Sequence, residues 1–194
     1  MKDLWKDRER GEEADHFRRE DAKLIQKMRE RARLSEIAEA LAAKLRVDDA
    51  ELLRRVAELG LDHDTGAAIL LAPLVQVAWA DGSMSASERA LVLQLAAGRG
   101  VTEGTPAHAT LVRWLEERPS DVLFETAMEV MRVGFAVLPA EERNQRIKDL
   151  VALCRRVAEA SGRGLAQLLG MADAVTGDEH LVLEAITKKL RVAP

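Results

Sequence analysis

Apolar residues recur every three or four positions along most of this chain, and this spacing restricts it to a helical fold. The repeat is clearest from Leu34 to Leu45, where the apolar side chains fall on one face of a helix. No segment of useful length alternates between apolar and polar residues, as a half-buried strand does. Only 3% of the residues are aromatic, which also favours helices over sheets. The sequence therefore predicts an all-α protein.

Charge density divides the chain into two regions. Residues 1–60 contain 30 charged residues, 15 of each sign, whereas the remaining 134 residues contain 32, with an excess of four acids. The contrast predicts a charged helical arm or hairpin over 1–60 and a helical bundle over 61–194. Gly60 is expected to end the last helix of the arm, because glycine is common just after a helix. The apolar stretch 64–80 is expected to form the central helix of the bundle, with Pro73 either kinking it or starting a second helix.

The arm is predicted to begin with a long exposed helix over 3–32, with a separate second helix after it. Phe17, Leu24 and Met28 give the first helix a thin apolar face, and Ile25 lies beside them. A helix with so little apolar surface is marginally stable alone, so it must pack against something or fray. We therefore predict that the arm binds a protein partner or a second copy of the chain.

The bundle contains an internal repeat. "VAWADG" at 77–82 is followed by "SMSASERALVLQL" at 83–95, and a similar pair occurs later in the chain. The later pair is "VAEASG" at 157–162 and "AVTGDEHLVLEAI" at 174–186. Two helix–loop–helix units derived from one ancestral hairpin would explain this repetition. The sequence therefore predicts an internally duplicated bundle.

The segment "AWADGSMSASE", residues 78–88, resembles the signature of TerB-like tellurite-resistance domains. In that family a helix ends in Ala-Asp-Gly, and a Glu follows six residues after the Gly, at the start of the next helix. The resemblance covers roughly 64–192. It implies an all-α, internally duplicated bundle whose acidic residues bind a divalent cation.

The resemblance implies that Asp81 and Glu88 are the family's acidic pair. In the second repeat Glu179 is retained beside Asp178, but Ser161 replaces the Asp. Carboxylates and loop carbonyls are hard oxygen ligands that suit Ca²⁺ or Mg²⁺. We therefore expect a divalent-cation site whose candidate ligands are Asp81, Glu88, Asp178 and Glu179.

The same residues also fit a purely structural interpretation. Ser85-x-x-Glu88 and Thr176-x-x-Glu179 have the pattern of capping boxes, in which the hydroxyl and the carboxylate satisfy free N–H groups of the first helical turn. Asp81 could accept hydrogen bonds from loop amides in an Asx turn. The sequence is compatible with both a cation site and a pair of helix caps.

The arm has a resemblance of its own. "KDRERGEEADHFRRED", residues 6–21, is similar to the start of the zeta inhibitor subunit of bacterial ATP synthases, which also opens with an Asp-Arg-Glu stretch on a helix. This likeness implies a regulatory inhibitor that acts through the N-terminal helix.

Several functional classes lack a signal in the sequence. The net charge is −4 and basic residues are interspersed with acids, so no nucleic-acid interface is expected. The four histidines are spaced apart from one another and from Cys154, which does not favour a zinc site. Cys154 lies at core spacing and is expected to be a buried free thiol. The longest nearly apolar stretch, 67–80, is too short to cross a membrane.

These patterns together predict a non-enzymatic, cytoplasmic adaptor or sensor. We expect it to act in bacterial stress responses of the tellurite-resistance type or in membrane-associated assemblies, with peripheral membrane contact and divalent-cation control as open possibilities. The first alternative is a metal-dependent enzyme that uses Asp81 and Glu88. The second is the regulatory inhibitor that acts through the N-terminal helix.

Overall fold

The structure is a computed structural model that describes residues 2–42, 47, 49–160 and 177–191. Within these ranges every regular element is a helix, which confirms the all-α prediction. The elements are α1 (Lys2–Ala42), α2 (Ala50–Glu58), the 3-10 helix Gly66–Leu71, α3 (Ala72–Ala78), α4 (Ala86–Ala97), α5 (Pro106–Glu116), α6 (Asp121–Ala136), α7 (Ala140–Glu159) and α8 (Gly177–Arg191).

Four of the helices begin at a side chain that caps the first turn. The Asp49 carboxylate accepts hydrogen bonds from two backbone N–H groups at the start of α2. Ser85, Thr105 and Ser120 each accept one backbone N–H at the start of α4, α5 and α6. These side chains satisfy N–H groups that have no partner within the helix. The helix start that the capping pattern predicts at Ser85 is confirmed.

α1 is a single helix of 41 residues, about 60 Å long at 1.5 Å per residue. The prediction of two separate helices over this segment is therefore wrong. The physical reason is that residues 12–42 contain neither glycine nor proline, so nothing in the sequence interrupts the helical hydrogen bonds. A contact with α2 also holds the C-terminal part of α1, where the Arg33 Nη2 donates to the Ala57 carbonyl oxygen at 3.0 Å.

The segment 17–33 and the C-terminal end of α1 have different surroundings. Residues 17–33 are exposed along their whole length. Ile37 and Leu41 are fully buried, and this end of α1 packs against α2 and the 3-10 helix. Both side chains belong to the same core as Val56 and the buried residues of the later helices. The core therefore extends across the predicted boundary at residue 60.

The centre of the bundle is α3. Leu74, Val75 and Val77 are at most 1% exposed, and α3 packs against α4, α6, α7 and α8. The structure divides the predicted central helix 64–80 into the 3-10 helix and α3, and Pro73 lies in the first turn of α3. Proline fits there because the first N–H groups of a helix have no intrahelical acceptor. No helix in the described ranges is long and apolar enough to cross a membrane.

The predicted internal duplication stays a prediction. Its second loop, including Ser161 and Thr176, lies outside the described residues. The second part of each repeat contains the start of a helix, which is α4 in the first repeat and α8 in the second.

Candidate functional site

The turn between α3 and α4 carries the first predicted ligand, Asp81. The Oδ1 atom of Asp81 accepts hydrogen bonds from the backbone N–H of Ser83 at 2.9 Å and from its hydroxyl at 3.0 Å. Gly82 has a φ of +83°, a conformation that glycine adopts without a steric penalty. The Asp81 side chain is exposed. Its two hydrogen bonds form the Asx turn that the structural interpretation predicts.

Glu88 completes a capping box with Ser85. The Oε2 atom of Glu88 accepts from the Ser85 backbone N–H at 2.9 Å and from its hydroxyl at 2.6 Å. In return the Glu88 backbone N–H donates to the Ser85 hydroxyl oxygen at 3.2 Å. The predicted capping box is confirmed, and it fixes the Glu88 carboxylate at the start of α4.

Glu88 and Glu179 are both buried, with exposed fractions of 2% and 1%. Burial raises the pKa of the Glu88 carboxyl, because removal from water disfavours the charged form. The hydrogen bonds from Ser85 oppose this rise in pKa, whereas the negative charges of Glu179 and Asp81 add to it. The negative charges of Glu179 and Asp81 therefore act on the Glu88 carboxylate at the start of α4.

The four candidate ligands do not form a metal centre in the described structure. Glu88 and Glu179 are buried, while Asp81 and Asp178 are exposed. Among the described residues, no group of three or more histidine, cysteine, aspartate or glutamate side chains is arranged to hold a metal ion. A cation site at these residues stays a prediction.

We expect Glu88→Gln to stabilise the protein near neutral pH. Glutamine can keep the capping box, and the change removes a buried negative charge that lies close to Glu179 and Asp81. Because the pKa of Glu88 is raised on folding, the folded state binds more protons than the unfolded state, and stability falls as pH rises through that range. The variant should therefore gain on the order of 1 kcal/mol at about pH 7 and less at about pH 4.

Urea unfolding of both proteins at the two pH values measures this difference. Glu184→Gln is the matched control, since Glu184 is exposed on α8 and its replacement should change stability by less than about 0.5 kcal/mol. A Glu88→Gln variant that is less stable than the wild type at both pH values would contradict the prediction.

The segment around the acidic turn is anchored to the end of α5 by two long-range hydrogen bonds. The indole N–H of Trp79 donates to the Trp114 carbonyl oxygen at 2.9 Å, and the Arg89 Nη2 donates to the Leu115 carbonyl oxygen at 2.8 Å. The carbonyl groups in the last turn of a helix accept no hydrogen bond from an N–H group of the same helix, so they need donors from elsewhere in the protein. The sequence analysis missed these contacts, because the partners are 35 and 26 residues apart along the chain.

Cys154 is fully buried in α7, as predicted, and is a free thiol. Burial raises the pKa of its thiol to about 12. The reactive thiolate is therefore strongly disfavoured in the folded protein.

The second candidate site is the exposed apolar surface of α1. Four large apolar side chains lie within an arc of about 100° around the helix axis. Their exposed fractions are 67% for Phe17, 58% for Leu24, 49% for Ile25 and 64% for Met28. These four residues are called the α1 apolar face below. They are the residues that the sequence predicts for this face.

The α1 apolar face points away from the bundle. At 100° per residue, its centre lies about 160° around the helix from Ile37 and Leu41, the residues that attach α1 to the core. The surrounding segment 17–33 contains seven basic and three acidic residues. The face is thus an accessible apolar strip flanked mainly by positive charge.

No protein-family model, curated protein or solved structure matches this chain significantly. The TerB-like and zeta-subunit resemblances therefore depend on the quoted sequence segments alone, and both stay predictions. What the structure defines is an all-α bundle with a long helix whose exposed segment 17–33 carries an apolar face.

Proposed function

We propose that this protein is a non-enzymatic adaptor that binds a protein partner through the α1 apolar face. The observation that carries the proposal is the exposure of four large apolar side chains on one side of a helix. A group of large apolar side chains on one side of a water-exposed helix is typical of a protein interaction site. Burying that surface against a partner would also stabilise a helical segment that is marginal alone.

The attachment of α1 to the bundle supports this role. Ile37 and Leu41 are buried near the C-terminal end of α1, and Arg33, the last residue of the exposed segment, donates a hydrogen bond to α2. The apolar face is therefore held in a defined direction relative to the bundle. A face that is positioned before binding loses less conformational entropy when the partner docks.

The sequence resemblances supply the proposed setting. The motif at 78–88 supports a bacterial stress response of the tellurite-resistance type, and membrane-associated assemblies are the other proposed setting. The similarity of residues 6–21 to the zeta subunit supports a regulatory role for the same helix.

Site-specific photo-cross-linking tests the adaptor proposal. A photoreactive amino acid replaces Leu24 in one variant and Gln26 in the other, in cells that produce the full chain. Gln26 is the matched control, because it is exposed about 160° around the same helix. We expect a discrete cross-linked product at position 24 that is absent at position 26. Equal labelling at both positions, or no product at position 24, would refute a docking role for this face.

Divalent-cation control is the second candidate function. The observation that favours it is the repulsion that the negative charges of Glu179 and Asp81 exert on the buried Glu88 carboxylate, which a bound cation would offset. Calorimetric titration of chelator-treated protein with Ca²⁺ and Mg²⁺ tests it, with Asp81→Asn as the comparison. We expect binding heat in the wild type that is reduced in the variant. The absence of binding heat in both proteins would exclude the proposed cation control, and it would also exclude a metal-dependent enzyme that uses these residues.

A further inference from the structure

We infer that the partner of the α1 apolar face is a second copy of this chain, bound with the two α1 helices antiparallel. The inference rests on the proposed function, because it identifies the partner for that same face. It depends on the spacing of the apolar residues, on one acid between them and on the order of charges beside them.

The spacing along α1 is that of a short coiled-coil seam. Phe17, Asp21, Leu24 and Met28 follow one another in steps of four, three and four residues. Such steps place side chains in a line that faces a partner helix. Leu24 and Met28 are well exposed, so this line is accessible in the single chain.

Asp21 decides the direction of the second helix. In a parallel pair each core position faces its own copy, so two Asp21 carboxylates would meet at the centre of the seam. Like charges at that separation repel, and the apolar neighbours would exclude the water that could screen them. A parallel pair is therefore disfavoured.

An antiparallel pair reduces this repulsion. When Phe17 of one copy faces Met28 of the second copy, Asp21 faces Leu24 of the second copy. The two Asp21 carboxylates are then separated along the seam by about three residues, or about 5 Å of helix rise, and each lies on the opposite side of the centre. Lys27 of the second copy lies next to Asp21 in this arrangement and supplies a positive charge.

The charges beside the seam are also complementary in this direction. Glu20 and Lys27 are seven residues apart and therefore lie on the same side of the seam. The antiparallel register brings Glu20 of each copy close to Lys27 of the other, which gives two symmetric ion pairs. In the single chain Glu20 pairs with Lys23 at 2.8 Å, and both side chains remain largely exposed. Glu20 can therefore exchange or share partners at little cost.

Sedimentation equilibrium of the full chain tests the inference. We expect a reversible dimer for the wild type, dimerisation weakened at least tenfold by Leu24→Glu, and an unchanged dimer for Gln26→Glu. Both substitutions add one carboxylate to the same turn of α1, so a general effect of charge or helicity would alter both. Circular dichroism should show that both variants remain folded. A wild type that is monomeric at every concentration, or an equal effect of the two substitutions, would overturn the inference.

A charge exchange tests the antiparallel direction. Glu20→Lys and Lys27→Glu should each weaken dimerisation, because each places like charges together across the seam. The double variant should dimerise more tightly than either single variant, because it restores both ion pairs with their signs reversed, although the new carboxylate at position 27 then lies beside Asp21. A double variant that dimerises no more tightly than the single variants would overturn the antiparallel register. A monomeric wild type that still gives a position-24 cross-link to a different polypeptide would refute the second-copy partner while leaving the adaptor proposal intact.

Discussion

Replacing Leu41 by alanine is expected to lower the free energy of unfolding by about 2–5 kcal/mol. Leu41 is fully buried near the end of α1, where it belongs to the common core. The change removes its packing contacts and leaves a cavity that the surrounding helices fill only in part. In a chain of this size the loss corresponds to a fall in Tm of about 5–15 °C. Thermal and urea unfolding followed by circular dichroism measure it.

Leu181→Ala is the control for this prediction. Leu181 is 63% exposed on α8, so the same chemical change there should alter stability by less than about 0.5 kcal/mol. Similar losses in the two variants would contradict the docking of α1 in the core. The comparison matters for function, because the position of the α1 apolar face depends on this attachment.

Replacing Trp79 by alanine is the second large expected effect, with a loss of about 3 kcal/mol. Trp79 ends α3, packs against the core, and donates its indole N–H to the Trp114 carbonyl oxygen. The alanine variant loses the packing and also leaves that carbonyl without its donor. Urea unfolding followed by circular dichroism measures the loss in the free energy of unfolding without depending on tryptophan fluorescence.

Trp79→Phe separates the two contributions. Phenylalanine keeps much of the packing but cannot donate a hydrogen bond, so the expected loss is about 1 kcal/mol. A phenylalanine variant as unstable as the alanine variant would show that the hydrogen bond, and not the packing, accounts for the effect. Both variants also test how the acidic turn is held in place, because Trp79 lies two residues before Asp81.

Features that depend on neighbouring residues could be predicted from the sequence. The spacing of apolar residues identifies the all-α class, and the caps at Ser85, Thr105 and Ser120 follow from hydroxyl side chains before apolar repeats. The α1 apolar face was also predicted, because a helical repeat fixes which side chains share a side of a helix.

Features that depend on how the helices pack could not be predicted. Glu88 and Glu179 are 91 positions apart, and the local sequence around each predicts a solvent-facing cap residue. Their burial follows from the placement of α4 and α8 around α3 and not from a local pattern. The continuity of α1 was missed for a different reason: the change from an exposed to a buried helix near residue 33 alters the apolar repeat without breaking the backbone.

The inaccessibility of Cys154 has a practical consequence. It is the only cysteine in the chain, and alkylating reagents need a thiolate in contact with solvent. A cysteine introduced by Gln26→Cys would therefore react long before Cys154 does, and each copy would carry one dye at a known place. Energy transfer between two such dyes would report the separation of the helices without any change to the native thiol.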